Sequence, residues 1–432
     1  MNNLFDRGDL SMSLKFGVLG LGMGGCSIAS EIANIKTRIT NKMTPYTGIL
    51  INTNEVDLRK IPDSDNVKKY QLKGYEKGAG RDVEIGEKAF SEHKDEIAGL
   101  LKTHFSDREF VWVICGLGGG TGTGAVIEAI RLVYANGFAK RCGLILTLPR
   151  DKEGRQVLDN CLERLQKISQ AMKGLGAILL TDNQKLYTEF LEEKPMASIG
   201  EYLDFSNKYI AKTLHEINVA TASFNPVGGY HFDSSEFLNM LNTPGLISLS
   251  RISLRDNQLD ADNESTYLPK IRDSISKGIL SDGYNFKGAK KAAVSMIAPT
   301  GSSNRVFSMK FINNIEAIIE DFSPQADEKP VATYSDPKGE GVQIYSVFAG
   351  LPFPKRVSEL IKKSEELNEL VEEDVADDAL SSLTLFSRKK TANEEIDVDS
   401  ILGSKQELDF NTGNKVSSKS KGVDPFEFLN SK

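Results

Sequence analysis

The stretch Cys115-Gly-Leu-Gly-Gly-Gly-Thr-Gly-Thr-Gly-Ala125 carries the most specific chemistry in this chain. Glycine admits positive φ and lets a ligand reach bare backbone. Successive N–H groups at a helix N-terminus form an anion cradle, reinforced by the helix dipole. Thr121 and Thr123 add hydroxyl donors. The run Gly118-Gly119-Gly120-Thr121-Gly122-Thr123-Gly124 therefore reads as a phosphate-binding loop. It is not a Walker A loop, because no Gly-Lys-Ser/Thr follows the glycines. A glycine that serves no purpose before a helix costs about 1 kcal/mol, which makes a purely structural turn the weaker reading.

Other residues could complete such a site. Gly20-Leu-Gly22-Met-Gly24-Gly25, followed by Cys26, is a Gly-x-Gly-x-x-Gly cluster. Alone it would suit an NAD-dependent oxidoreductase. That reading needs an acid at the end of the second strand to hold a ribose. The second apolar run, Thr47–Ile51, ends in Asn52-Thr53-Asn54 instead, and no hydride-transfer site is evident. Gly78-Ala79-Gly80 form a third glycine loop, for which a plain surface turn is the alternative to a ligand-binding role. Pro149 leads into Arg150-Asp-Lys-Glu153-Gly-Arg155, and a carboxylate such as Glu153 offers two acceptors to vicinal hydroxyls. Asn183 closes another apolar run. Asp233-Ser-Ser-Glu236 has the spacing of a helix capping box.

These residues need elements to hold them. Apolar runs at 14–19, 47–51, 110–114, 142–149 and 176–181 read as buried strands alternating with helices, which gives a doubly wound, mostly parallel sheet. Ligands bind at the carboxyl ends of such strands, where each loop named above falls. Residues 198–224 read as one long helix with the stripe Tyr209, Ile210, Leu214 and Ile217. Strands at 246–250, 292–297, 306–310 and 342–348 and a helix at 312–322 suggest a smaller mixed α/β unit. Pro354 opens a helix with an acidic end, and beyond Ser381 periodicity disappears, as in disordered chain. The resulting division is an N-terminal arm 1–13, a nucleotide-binding domain 14–197, a central helix 198–224, a second domain 225–353, a C-terminal helix 354–380 and a tail 381–432. Within the tail, Val423–Leu429 is an apolar island suited to docking on a partner.

Composition narrows the class. At 432 residues the chain can bury a large core, and its net charge of -7 argues against a broad DNA-binding surface. The four cysteines and four histidines lack metal-ligand spacing. No apolar run is long enough to span a membrane, so a cytosolic protein is expected, with no membrane partner.

Gly118–Gly124, placed between a strand and a helix, resembles the signature loop of the tubulin/FtsZ family of GTPases. The resemblance covers roughly residues 14–355. It implies a GTP/GDP site with Mg²⁺ held mainly through nucleotide phosphates and water. It assigns Gly20, Gly22, Gly24, Gly25, Cys26, Asn52, Asn54 and Gly78–Gly80 to the nucleotide beside the signature loop. Pro149 and Glu153 would stand at the ribose and Asn183 at the guanine and ribose. Asn207 would meet the base, with Phe205 or Tyr202 near it. Asp233 and Glu236 match the acids of a catalytic loop that serves the next subunit's nucleotide, with His231 where the family has asparagine. An oriented acid plus Mg²⁺ suffices for phosphoryl transfer, which needs positioning and charge neutralisation.

Within the family, Lys15–Cys26, Leu214-His-Glu-Ile-Asn218 and Gly350–Val357, followed by a long helix, resemble the plasmid- and phage-borne TubZ branch. That branch implies polymerisation-dependent GTP hydrolysis in head-to-tail filaments. It also implies plasmid segregation through a TubR-like adaptor on centromeric DNA, bound by the C-terminal tail, without direct sequence-specific DNA contact. An FtsZ-like division-ring protein is the alternative; the helix after Pro354 weighs against it.

Overall fold

The structure is a computed structural model and describes Leu4, Arg7 and residues 10–36, 46–228, 231–255 and 258–377, with side chains to residue 369. The readings made for the tail 381–432 lie outside the described residues.

Six strands build the first half: β1 (Phe16–Leu21), β2 (Thr47–Asn52), β3 (Val67–Gln71), β4 (Phe110–Gly116), β5 (Cys142–Leu148) and β6 (Ala177–Asp182). All pair in parallel, in the order β3-β2-β1-β4-β5-β6. Their carboxyl ends therefore share one edge. Helices α1 (Gly22–Ala33), α2 (Glu55–Lys60), α3 (Val83–Glu92), α4 (Lys94–His104), α5 (Thr121–Val133), α6 (Arg155–Ala171) and α7 (Asn183–Glu193) connect them. Strands buried on both faces must be apolar throughout. Alternate residues of β4 accordingly feed two cores: Val111, Val113 and Cys115 one, Phe110, Trp112 and Ile114 the other.

Helix α8 (Ile199–Ala220) follows, opened by a Ser198–Glu201 capping box. Near its start, the Tyr202 hydroxyl donates to the Asn183 carbonyl at 2.9 Å, just past the carboxyl end of β6. Near its finish, the Asn218 amide holds the Leu14 backbone at both N–H (3.0 Å) and C=O (2.8 Å), just ahead of β1. So α8 runs against the parallel strands, from their carboxyl edge to their amino edge. Its 22 residues span about 33 Å at 1.5 Å each.

The second half comprises β7 (Asn225–Pro226), α9 (Ser234–Leu241), β8 (Gly245–Leu254), α10 (Leu268–Lys277), β9 (Lys291–Pro299), α11 (Ser303–Val306), α12 (Met309–Phe322), β10 (Val331–Asp336), β11 (Val342–Leu351) and α13 (Lys355–Asp377). It continues the same sheet through three parallel pairs between β6 and β8, in the order β8-β11-β9-β10-β7. The strand expected at 306–310 is instead the end of α11 and the start of α12. Ser308 caps α12 by accepting from the Phe311 N–H, and this local bond outweighs a short alternation. The central helix stops at Ala220 rather than 224, because Asn225-Pro226 pairs with Tyr334 and Ser335 of β10. Strands β3 and β10 escaped the sequence reading; β3 is an edge strand whose Val67-Lys-Lys-Tyr-Gln71 mixes polar with apolar.

His215, on the inward face of α8, is 1% exposed and shares a 2.9 Å hydrogen bond between its Nδ1 and the Tyr46 hydroxyl. Burial pushes its pKa down to about 4 from the ordinary 6.5. The unfolded chain therefore binds a proton that the folded chain refuses between these values, and stability falls as pH drops from about 6.5 to about 4. His215→Gln should remove about 3 kcal/mol of that acid slope. Urea unfolding of both proteins from pH 7 to pH 4 measures it, and parallel stability curves would refute the assignment.

Candidate nucleotide site

A cleft of about 400 Å³ opens at the carboxyl edge of β1, β2 and β4. Gly22, Gly24, Asn52, Asn54, Gly78, Ala79, Gly80, Gly119, Gly120, Thr121 and Gly122 line it, from four separate loops. Leu21, Met23, Thr53, Asp57, Lys77 and Gly116 line it as well. None of these six was singled out from the sequence. Thr53 was legible as the middle of Asn52-Thr-Asn54, and Lys77 as the residue before Gly78; Asp57 gave no signal.

Two helices point unfilled N-termini at the cleft. Neither α1 nor α5 has a side-chain cap, because Leu21 and Gly120 precede them. Their first-turn N–H groups are thus left for a ligand. The loops meet backbone to backbone: a Cβ on Gly22 (φ +66) would lie 2.9 Å from the Gly122 nitrogen, and one on Gly122 2.8 Å from the Leu21 oxygen. By contrast α2 and α3 are capped by their own chain. Asn54 accepts from Val56 and Asp57 N–H, and Asp82 from Glu84 and Ile85 N–H. The carbonyl oxygen of Asn54 is therefore engaged although the residue lines the cleft.

Polar side chains complete the lining. The Thr121 and Thr53 hydroxyls are 2.8 Å apart. Asn52 is 3% exposed, and its Nδ2 has no hydrogen-bond partner among the described residues. A buried donor without an acceptor costs roughly 1–3 kcal/mol. An acceptor entering the cleft would relieve that cost.

Other predicted residues stand behind the cleft wall. Gly20 and Gly25 sit where β1 and α1 approach β4; a Cβ on Gly25 would meet the Ile114 oxygen at 2.2 Å. The Cys26 thiol donates to the Gly20 and Ile51 carbonyls. Gly118 packs on Val157 and Gly124 on α3. The Thr123 hydroxyl accepts from Gly118 N–H at 2.9 Å and closes the loop instead of facing the cavity. All four cysteines are buried and free; burial raises Cys115 and Cys142 to about 12, and Cys26 and Cys161 well above the ordinary thiol range.

The remaining predicted residues gather along the same edge, outside the cleft. Glu153 accepts from the Arg150 N–H at 3.2 Å in the β5–α6 loop that begins at Pro149. Asn183 opens α7 beyond β6. Phe205 stacks on Tyr209 with centroids 5.3 Å apart and lies 4.8 Å from Phe190; Tyr202 belongs to the same aromatic group. Asn207 is half-buried on α8.

Asp233 and Glu236 lie elsewhere. They follow the end of α8 and open α9, which ends with the Leu241 carbonyl against Gly176 at the amino end of β6, and the Tyr334 hydroxyl of β10 brackets Phe232 by bonding its N–H and C=O. They form a complete capping box: Asp233 accepts from Ser235 and Glu236 N–H, and Glu236 accepts from Asp233 N–H at 3.0 Å. The Ser235 hydroxyl and the backbone donors hold the Asp233 carboxyl below its ordinary range. It is therefore ionised at neutral pH.

Among the described residues no three His, Cys, Asp or Glu side chains form a metal-holding group, and no helix is long and apolar enough to cross a membrane.

Comparison with known proteins gives the class. Residues 15–190 match the Tubulin/FtsZ family, GTPase domain. Residues 230–355 match the C-terminal domain of the tubulin-like protein TubZ. Over 368 residues the chain is 45% identical to the tubulin-like protein TubZ of Bacillus cereus, spanning 83% of this chain and 84% of that one. A TubZ of Bacillus thuringiensis subsp. israelensis is 23% identical over 438 residues, 94% of this chain and 86% of that one. A protofilament of that organism's TubZ in its GTPγS form superimposes with a TM-score of 0.72 at 19% identity, covering 87% of this chain and 96% of that one, which establishes the common fold. The chain is a tubulin/FtsZ-family protein with that family's GTPase domain. Within it, the chain belongs to the TubZ family.

Asn52→Asp, which exchanges the unpartnered Nδ2 donor for an anionic oxygen at constant shape, should weaken guanosine diphosphate binding at least about tenfold. Calorimetry on the folded variant measures this, and unchanged affinity would exclude Asn52 from ligand contact.

Proposed function

We propose that this chain binds GTP in the cleft and hydrolyses it only within head-to-tail filaments. The observation that carries the reading is the pair of uncapped helix N-termini, α1 and α5, converging beside the unpartnered Asn52 amide. An anionic, acceptor-rich ligand fits that cradle. Gly22, Gly24 and Gly119–Gly122 would wrap the phosphates, and Gly78–Gly80 would meet the terminal one. Glu153 would take the ribose hydroxyls, and Asn183 and Asn207 the base, near Phe205 or Tyr202. Magnesium, held mainly through phosphates and water, would neutralise phosphate charge when bound.

The acids Asp233 and Glu236 serve the nucleotide of the next subunit on this reading. Helix α8 supports it, because about 33 Å of helix separates the carboxyl edge from the start of their loop. Helix α9, which these acids open, ends against Gly176 at the amino end of β6, away from the cleft at the carboxyl ends. Stacking subunits along this direction would bring one molecule's loop to its neighbour's cleft, where an ionised Asp233 can orient water. Hydrolysis would then weaken the contact that produced it, which gives a dynamic polymer. The TubZ relatives support self-assembly of this kind; solved TubZ structures are a protofilament and a two-stranded helical filament. Plasmid segregation through a TubR-like adaptor bound by residues 381–432 completes the proposal, supported by membership of the TubZ family.

Asp233→Asn separates capping from hydrolysis, since asparagine caps helices as well as aspartate does. The variant should pellet with GTP like the parent and release phosphate at least about a hundredfold more slowly, within the range lost when one charged transition-state group is removed. Sedimentation and phosphate release on the same samples test it. Normal turnover by the variant would sink the inter-subunit role of this acid, and absence of GTP-dependent pelleting by the parent would sink the polymer itself.

A further inference from the structure

Arg356, in the first turn of α13, is a charged residue with an 8% exposed side chain. Its Nη2 lies 2.6 Å from Asp151 Oδ1 and donates to the Pro149 carbonyl at 3.2 Å. Its Nε lies 3.3 Å from Asp182 Oδ1, an ion-pair contact without hydrogen-bond geometry. One guanidinium thus joins the β5–α6 loop to the end of β6. The two loops are also tied to each other, because Asp151 N–H donates to the Gln184 side chain at 3.1 Å. Asp182 caps α7 through Gln184 N–H at 2.9 Å, so its position sets that of Asn183 between them. Further along α13, the Ser364 hydroxyl donates to Asp159 at 2.7 Å and Arg155 donates to Asn368 at 3.3 Å, both to or from α6. A planar fork can address several oxygens at fixed angles, which the single ammonium of lysine cannot.

We infer that Arg356 is a positioning residue through which the C-terminal helix sets the two loops carrying Glu153 and Asn183, linking α13 docking to recognition of the nucleoside. The inference rests on the reading that these loops face the ribose and base. Loops around Gly22 and Gly119–Gly122 have no contact with Arg356, so phosphate recognition stays outside the linkage. Such coupling is reciprocal: a bound ribose would hold α13 in place as firmly as α13 holds the ribose loops.

The test uses the full chain, kept unpolymerised by low concentration and omission of magnesium. Dissociation constants are measured for GDP, GTP and 2′,3′-dideoxy-GDP with the parent, Arg356→Lys and Asp151→Asn. Asp151 has a 52% exposed side chain, so its variant keeps the fold even where Arg356→Lys unfolds. The parent should prefer GDP over the dideoxy compound by about tenfold, and both variants should lose about fivefold of that preference, as expected when a close ion pair that positions the loops is weakened. The ratio of GTP to GDP affinity should stay the same, a split that general destabilisation would not give. Undiminished ribose preference in Asp151→Asn would overturn the inference while leaving the nucleotide reading intact. A parent that binds GDP without ribose preference would overturn the ribose assignment, and the inference with it; a parent that binds no GDP would overturn the nucleotide reading itself.

Discussion

The approach of two bare backbones organises this molecule. Gly22 and Gly122 occupy positions where any side chain would strike the other loop. Only that approach lets α1 and α5 start side by side above adjacent strands β1 and β4. Two partial positive ends in one place are mutually unfavourable, and a protein gains nothing from such an arrangement in the absence of an anion. The neighbouring helices emphasise the point. Asn54 and Asp82 satisfy the starts of α2 and α3 from within the chain, whereas the starts of α1 and α5 are left open. Capping has been withheld where a ligand would supply it.

The second constraint is direction. The parallel strands and the antiparallel α8 make the molecule a one-way object, with the cleft at one edge and the end of α8 at the other. The ion pair between the buried Glu216 of α8 and the partly exposed Arg251 of β8 secures the helix to the second half of the sheet. Removing Arg251 would leave the buried Glu216 carboxylate with the more distant Lys212 ammonium, 4.0 Å away, a costly exchange that favours keeping the helix on the second half of the sheet.

Much of this is legible in the amino-acid sequence. The strands β1, β2, β4, β5 and β6 are continuous apolar runs, and glycine clusters at their ends located the loops that line the cleft. What the sequence concealed has physical causes. Whether a loop residue faces a cavity or closes its own turn depends on a rotation that spacing does not encode: Thr121 and Thr123 look alike, yet Thr121 lines the cleft and Thr123 bonds back to Gly118. Lys77 and Asp57 are ordinary surface residues until tertiary structure brings them to one cavity. Arg356 was invisible for a similar reason, since its partners lie about 200 residues earlier in the chain. The misread strand at 306–310 shows that a single capping serine can overrule alternation over five residues.

The buried thiols give the chain a built-in gauge of its own opening. Cys26 sits directly beneath the first glycine loop, and the side chain of Cys115 beneath Gly122. A thiol that is both inaccessible and held neutral does not react with alkylating reagents until the structure around it parts. Its modification rate in the native state is therefore a measure of local opening free energy at the floor of the cleft. Any molecule that settles in the cleft must slow that rate in proportion to its occupancy, because binding draws population from the open form. Occupancy could thus be followed through sulfur chemistry in the unaltered sequence, with no label on the ligand and no introduced reporter.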